Sequence, residues 1–158
     1  MRHYCTLFDS KYLPQGLVLY ESLKKHSSEE FTLWVLPMDD DCDQVLRDLD
    51  VRQIGLIQRQ AFEVSKGLLD AKAKRTWAEY CWTCASNLTE YLLVSAIDEL
   101  TYLDSDLMFF SDPKVIFDEI GERSIAVIPH RLAENKDKAR LSQNGKFNVS
   151  WVTFKNNA

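Results

Sequence analysis

Four places in the chain set two aspartates one residue apart: Asp39/Asp41, Asp41/Asp43, Asp48/Asp50 and Asp104/Asp106. In an extended segment residues i and i+2 point the same way, so such a pair presents two carboxylates about 7 Å apart on one face. Paired carboxylates suit a hard divalent cation, Mg2+ or Mn2+, which completes its shell with water and with the oxygens of a phosphorylated substrate. Sequence position separates the four pairs. The first two fall where acidic residues stabilise a helix N-terminus, and the third falls where a helix ends. With those set aside, Asp104 and Asp106 remain at the carboxyl end of an apolar, strand-like run, Leu100-Thr101-Tyr102-Leu103, and ligands of open α/β sheets bind beyond the carboxyl ends of strands. The competing role for Asp104 is that of a turn residue capping the next segment.

A second motif, Cys81-Trp82-Thr83-Cys84, has the spacing of a redox pair with a lowered thiol pKa, or of half a zinc site. The other cysteines, Cys5 and Cys42, and the three histidines, His3, His26 and His130, are scattered. Trp77, Tyr80 and Trp82 crowd the same stretch, so buried, reduced thiols are expected. The chain opens without a secretory signal pattern, so a cytoplasmic protein is expected.

These residues need a scaffold, and the composition supplies one. With 158 residues, 46% of them hydrophobic, the chain reads as one globular domain over 1–158. Nineteen basic against 24 acidic residues give a net charge of −5, which argues against a sequence-independent grip on nucleic acid or anionic membranes. No apolar run is long enough to span a bilayer. Apolar runs alternate with helical patterns throughout, the signature of an α/β fold. Strands are expected over Tyr4 to Phe8, Phe31 to Leu36, Val51 to Ile57, Leu100 to Leu103, Ile125 to Ile128 and Phe147 to Phe154. Phe147, Val149 and Trp151 would share one face of the last strand. Helices are expected after Leu13, after Asp39, from Thr76 to Val94, and from Asp112-Pro113 to Ile120. Gln58 to Arg75 reads as either a helix or a loop.

The arrangement Tyr102-Leu103-Asp104-Ser105-Asp106-Leu107, downstream of Leu7-Phe8-Asp9-Ser10-Lys11-Tyr12-Leu13-Pro14, resembles the GT-A glycosyltransferases, in particular the branch similar to glycosyltransferase family 8. The resemblance implies a Rossmann-like mixed sheet flanked by helices. It also implies transfer of a sugar from a nucleotide diphosphate-sugar, a uridine diphosphate sugar, to an unknown acceptor with retention at the anomeric carbon. Asp104 would meet ribose and metal, Asp106 would ligate the metal, and Mn2+ or Mg2+ would bridge the diphosphate. Thr6, Phe8 and Asp9 would line the base pocket. Tyr12 would stack on the base or anchor a helix start, and Arg75 would reach the diphosphate or stay a solvated surface arginine. In Gly145-Lys146-Phe147-Asn148-Val149-Ser150, Asn148 and Ser150 would meet the sugar, with Ser150 where the resembling enzymes often have glycine. His130 and Arg131, closing the neighbouring strand, would face the acceptor or hydrogen-bond structurally.

The resembling enzymes continue beyond this point, usually with a histidine that completes the metal shell. A chain truncated at its C-terminal side is therefore expected, without the third ligand. A non-catalytic nucleotide-sugar binding module is the alternative. A nucleotidyltransferase would carry a glycine-rich phosphate loop near its N-terminus, and none is present in a chain of five glycines.

Overall fold

The computed structural model describes residues 1–95, 97–130 and 145–156. In chain order the elements are β1 (Arg2–Phe8), α1 (Leu13–His26), β2 (Phe31–Pro37), α2 (Asp40–Leu49), β3 (Ile54–Leu56), α3 (Arg59–Phe62), α4 (Lys66–Lys74) and α5 (Trp77–Leu93). β4 (Glu99–Leu103), α6 (Lys114–Ile120), β5 (Ile125–Pro129) and β6 (Phe147–Lys155) complete the order. The strands form one sheet in the order β3-β2-β1-β4-β6-β5. β1 to β4 run parallel, while β6 is antiparallel to both β4 and β5. This is the mixed, helix-flanked sheet that the resemblance implies.

Each local signal has a visible cause. Asp39 caps α2, accepting the Cys42 N–H, with Asp40, Asp41 and Asp43 in the first turn. α5 opens with a capping box, Thr76 and Glu79 each accepting the other's backbone N–H. β3 is shorter than expected because Asp50 adopts a left-handed backbone (φ 44°) and the Val51 carbonyl accepts the Ile54 N–H in a turn. The ambiguous stretch from Gln58 holds two short helices, the second capped by Ser65. α6 starts one residue later than expected: Pro113 takes the cap position and the Asp112 carboxylate accepts the Lys114 N–H.

β1 is buried on both faces, which explains its unbroken apolar run. Tyr4 and Phe8 pack with Leu19 and Leu23 of α1, Leu46 of α2 and Phe117 of α6. Cys5 and Leu7 pack on the other side with Leu68 of α4 and Tyr80, Cys84 and Leu88 of α5. Leu33, Leu100 and Leu103 are 0% exposed, each contributing about 1.5–3 kcal/mol of transfer free energy.

The register of β6 on β4 is pinned by a buried hydroxyl pair, Thr101 and Thr153, whose Oγ1 atoms lie 2.9 Å apart, and by the Trp151 indole donating to Thr153. A one-residue slip would turn this pair out of the core. Between β5 and β6 the register shifts at Val127/Ile128. Of the three residues expected to share a face, only Trp151 is buried; Val149 is 66% exposed, as β6 begins beyond the helical cover. Among the described residues no helix is long and apolar enough to cross a membrane.

Candidate functional site

β2 and β3 lie on one side of β1 and β4 on the other, so the winding direction switches between β1 and β4. Loops leaving adjacent strands diverge at such a switch and open a crevice at their carboxyl ends. A cleft of about 270 Å3 lies there. The β1 loop contributes Phe8, Asp9 and Tyr12, the β4 loop Asp104, Ser105 and Asp106, and α5 Trp77, Cys81 and Trp82.

The first loop is held rigidly. Asp9 Oδ1 accepts the backbone N–H of Lys11 (3.1 Å) and Tyr12 (3.2 Å), and Oδ2 accepts the Trp77 indole N–H (3.0 Å). The next residue is tied to α2: the Ser10 N–H and hydroxyl both donate to Asp39 Oδ2, at 2.9 and 2.8 Å. Burial alone would favour protonated Asp39, but the bonds donated by Ser10 and Cys42 prevail and hold its carboxyl below the usual range. Behind the cleft wall, a Cβ on Gly16 would stand 2.4 Å from the Phe8 ring, so the seat of Phe8 requires glycine there.

Asp104 and Asp106 both reach the cleft, by a route other than strand alternation. β4 ends at Leu103, and the chain then turns, with the Leu107 N–H donating to the Asp104 carbonyl at 3.3 Å. The extended geometry expected from the i, i+2 spacing is replaced by a turn, so Asp104 serves as turn residue and cleft carboxylate at once. Its carboxyl is raised above the ordinary range, first by burial and further by the charge of Asp106, with the Tyr102 hydroxyl pulling the other way. Repulsion between the half-buried Asp104 carboxylate and its exposed neighbour Asp106 is what a bound cation relieves. As hard oxygen donors the pair fits Mg2+ or Mn2+, with remaining positions left to water and a diphosphate. Among the described residues no group of three or more histidine, cysteine, aspartate or glutamate side chains is arranged to hold a metal ion.

The other expected site residues disperse. The Ser150 carbonyl accepts the Asp104 N–H at 2.9 Å, and Asn148 Oδ1 holds the Ser150 N–H at 2.8 Å. Ser150 itself lines a neighbouring groove of about 290 Å3 with Phe109, Phe110 and Pro113. The His130 backbone N–H donates to the Lys146 carbonyl at the same sheet edge. Arg131 lies outside the described residues. Thr6 is wholly buried on the Tyr4 face of β1, its hydroxyl without a partner, and does not line the cleft. Arg75 is exposed, donates to the Thr83 hydroxyl, and lines a separate concavity beyond Trp82.

Trp77 and Trp82 escape the motif reading, although a signal exists. Positions 77, 78, 81 and 82 form one stripe at helical spacing, flanking the buried stripe of Tyr80, Cys84 and Leu88. Burial pushes the Cys81 thiol up to about 11 and raises Cys84 too. The Cys-x-x-Cys segment is thus a piece of the cleft wall without the low-pKa thiol of a redox pair.

No family model matches the sequence. Two uncharacterised proteins of Bacillus subtilis (strain 168) do: YfnF, 31% identical over 160 residues, covering 96% of this chain and 52% of that protein, and YfnD, 29% identical over 153 residues, covering 95% and 48%. The chain spans about half the length of these curated relatives. Among solved structures, mouse xyloside xylosyltransferase 1 superposes with a TM-score of 0.66 at 13% identity, over 98% of this chain and 66% of that one. The galactosyltransferase LgtC, in complex with donor and acceptor sugar analogs, gives 0.67 at 14%, over 97% and 57%. The glycosyltransferase GlyE of Streptococcus pneumoniae TIGR4 gives 0.52 at 18%, over 98% and 34%. The fold is that of the GT-A glycosyltransferases.

Proposed function

We propose that this chain binds a uridine diphosphate sugar in the cleft between β1 and β4 and serves its transfer to an acceptor hydroxyl. One observation carries the reading: the Asp104 and Asp106 carboxylates and two exposed aromatic rings, Tyr12 and Trp77, converge where the sheet switches direction. Aromatic faces suit a base. Asp104 and Asp106 would hold Mg2+ or Mn2+, and a cation there stabilises charge on a departing diphosphate. Phe8, the Asp9 loop and Tyr12 would hold the uracil and ribose, and Asn148 and Ser150 would border the sugar through the Ser150–Asp104 backbone bond. In the transfer, the acceptor oxygen bonds to the anomeric carbon as the bond to the diphosphate oxygen breaks. That electron pair leaves with uridine diphosphate, and the hydroxyl proton passes to the departing phosphate or to water. The protein's share is orientation. Four free thiols, three of them buried, suit a reducing cytoplasm.

A second reading, a nucleotide-sugar binding module without turnover, is favoured by the two-carboxylate donor set, since no third ligand joins it among the described residues. A longer chain, like relatives of about twice this length, would supply the third ligand.

Calorimetric titration of UDP, and of GDP as control, with and without Mn2+ tests both. The expected result is metal-dependent UDP binding weakened at least about tenfold by Asp106→Ala, a loss of about 1.4 kcal/mol. Equal UDP affinity with and without metal, or in the variant, contradicts the proposal. Turnover of the donor then separates enzyme from binding module.

A further inference from the structure

Trp82 is 73% exposed on a helix whose start is fixed by the capping box. A large aromatic side chain held in water on a rigid element marks a contact surface. Trp82 is also where two concavities meet. One is the cleft; the other, about 460 Å3, is lined by Trp82 with Arg75, Glu79, Thr83 and Ser86. Asp104 and Asp106 border only the first, so a diphosphate held there leaves the second open.

The polar groups of this second concavity are set in advance. Arg75 donates to the Thr83 hydroxyl, which in turn donates to the Glu79 carbonyl at 2.8 Å, and the Ser86 hydroxyl donates to the Thr83 carbonyl at 3.2 Å. Glu79 Oε2 accepts the Thr76 N–H and hydroxyl at 2.9 and 2.7 Å, which keeps this carboxyl below its usual range and hence charged. Among the described residues Arg75 makes no ion pair, and its remaining guanidinium N–H groups and Glu79 Oε1 have no hydrogen-bond partner. An aromatic plane ringed by a fork of N–H donors, a carboxylate oxygen and hydroxyls matches a pyranose ring: C–H groups over the indole, hydroxyls to the rim.

We propose that Trp82 is the platform of an acceptor subsite for a saccharide, with Arg75 and Glu79 binding ring hydroxyls, next to the donor cleft. The inference rests on the nucleotide-sugar reading and names the acceptor class: a sugar, rather than a lipid or protein side chain.

The test is saturation-transfer difference NMR on the chain with UDP and Mg2+, using lactose, cellobiose, maltose and diacetylchitobiose as probes, with UDP affinity measured in parallel. At least one disaccharide is expected to receive saturation, concentrated on the C–H protons of one ring. Trp82→Ala should weaken it at least tenfold. Ser86→Trp, which fills the concavity from an exposed position, should abolish it while UDP affinity stays within twofold. UDP binding with no saccharide signal overturns the inference alone. So does a signal that survives Ser86→Trp, or a Trp82→Ala loss confined to UDP, which would make the indole a base platform. Absence of UDP binding in the wild type overturns the nucleotide-sugar reading and this inference with it.

Discussion

On the parallel side of the sheet β1 and β2 are buried on both faces, with helices above and below, and the candidate site opens at the carboxyl ends of β1 and β4. On the antiparallel side β5 alternates exposed and half-buried residues, Ile125 and Val127 stand in solvent, and the pairing with β6 carries a register shift. The difference shows where precision is invested. Carboxylates must be fixed to be useful, and Asp9, Asp39 and Asp104 leave strands or cap helices whose positions many contacts determine. One thread joins the halves: the Thr101–Thr153 pair sets β6 so that Ser150 meets Asp104.

The contrast can be broken by core truncation, where the largest effect is expected. Leu100→Ala, in the doubly covered half, should cost about 3 kcal/mol, and Val127→Ala on β5 less than about 1 kcal/mol, in urea unfolding. Comparable losses would erase the distinction. Gly16→Ala should come next, at about 1–3 kcal/mol from overpacking against Phe8. It should also weaken UDP binding, since Phe8 lines the cleft; an unchanged melting temperature would show that the Phe8 seat is soft. Thr76→Ala removes the cap of α5 and should cost about 1 kcal/mol, with Thr76→Ser nearly neutral.

The sequence made the parallel half legible because its signals are local: apolar runs, Asp39 before its helix, Thr76 with Glu79 three residues on. Asp104 and Asp106 stood out for the same reason, lying just past an apolar run. Less legible were features set by distant contacts. The turn at Asp104 depends on β6 supplying the Ser150 carbonyl, and the placement of Arg75 depends on a helix break at Ser65 and a new start at Thr76. Thr6 looked available because its strand leads to the site, yet the alternation of β1 turns it into the core. The tryptophans of α5 read as crowding until the fold set their stripe against the first loop.

The central claim is that Asp104 and Asp106 hold a divalent cation together with a diphosphate. Electron paramagnetic resonance of Mn2+ reads this directly, because the six-line signal of the free ion fades on binding. With the folded chain and UDP present the signal should fall well below that of Mn2+ with UDP alone, and Asp104→Asn/Asp106→Asn should restore it without unfolding the protein. A signal unchanged by the wild-type chain, or equally reduced by the double variant, would contradict the account.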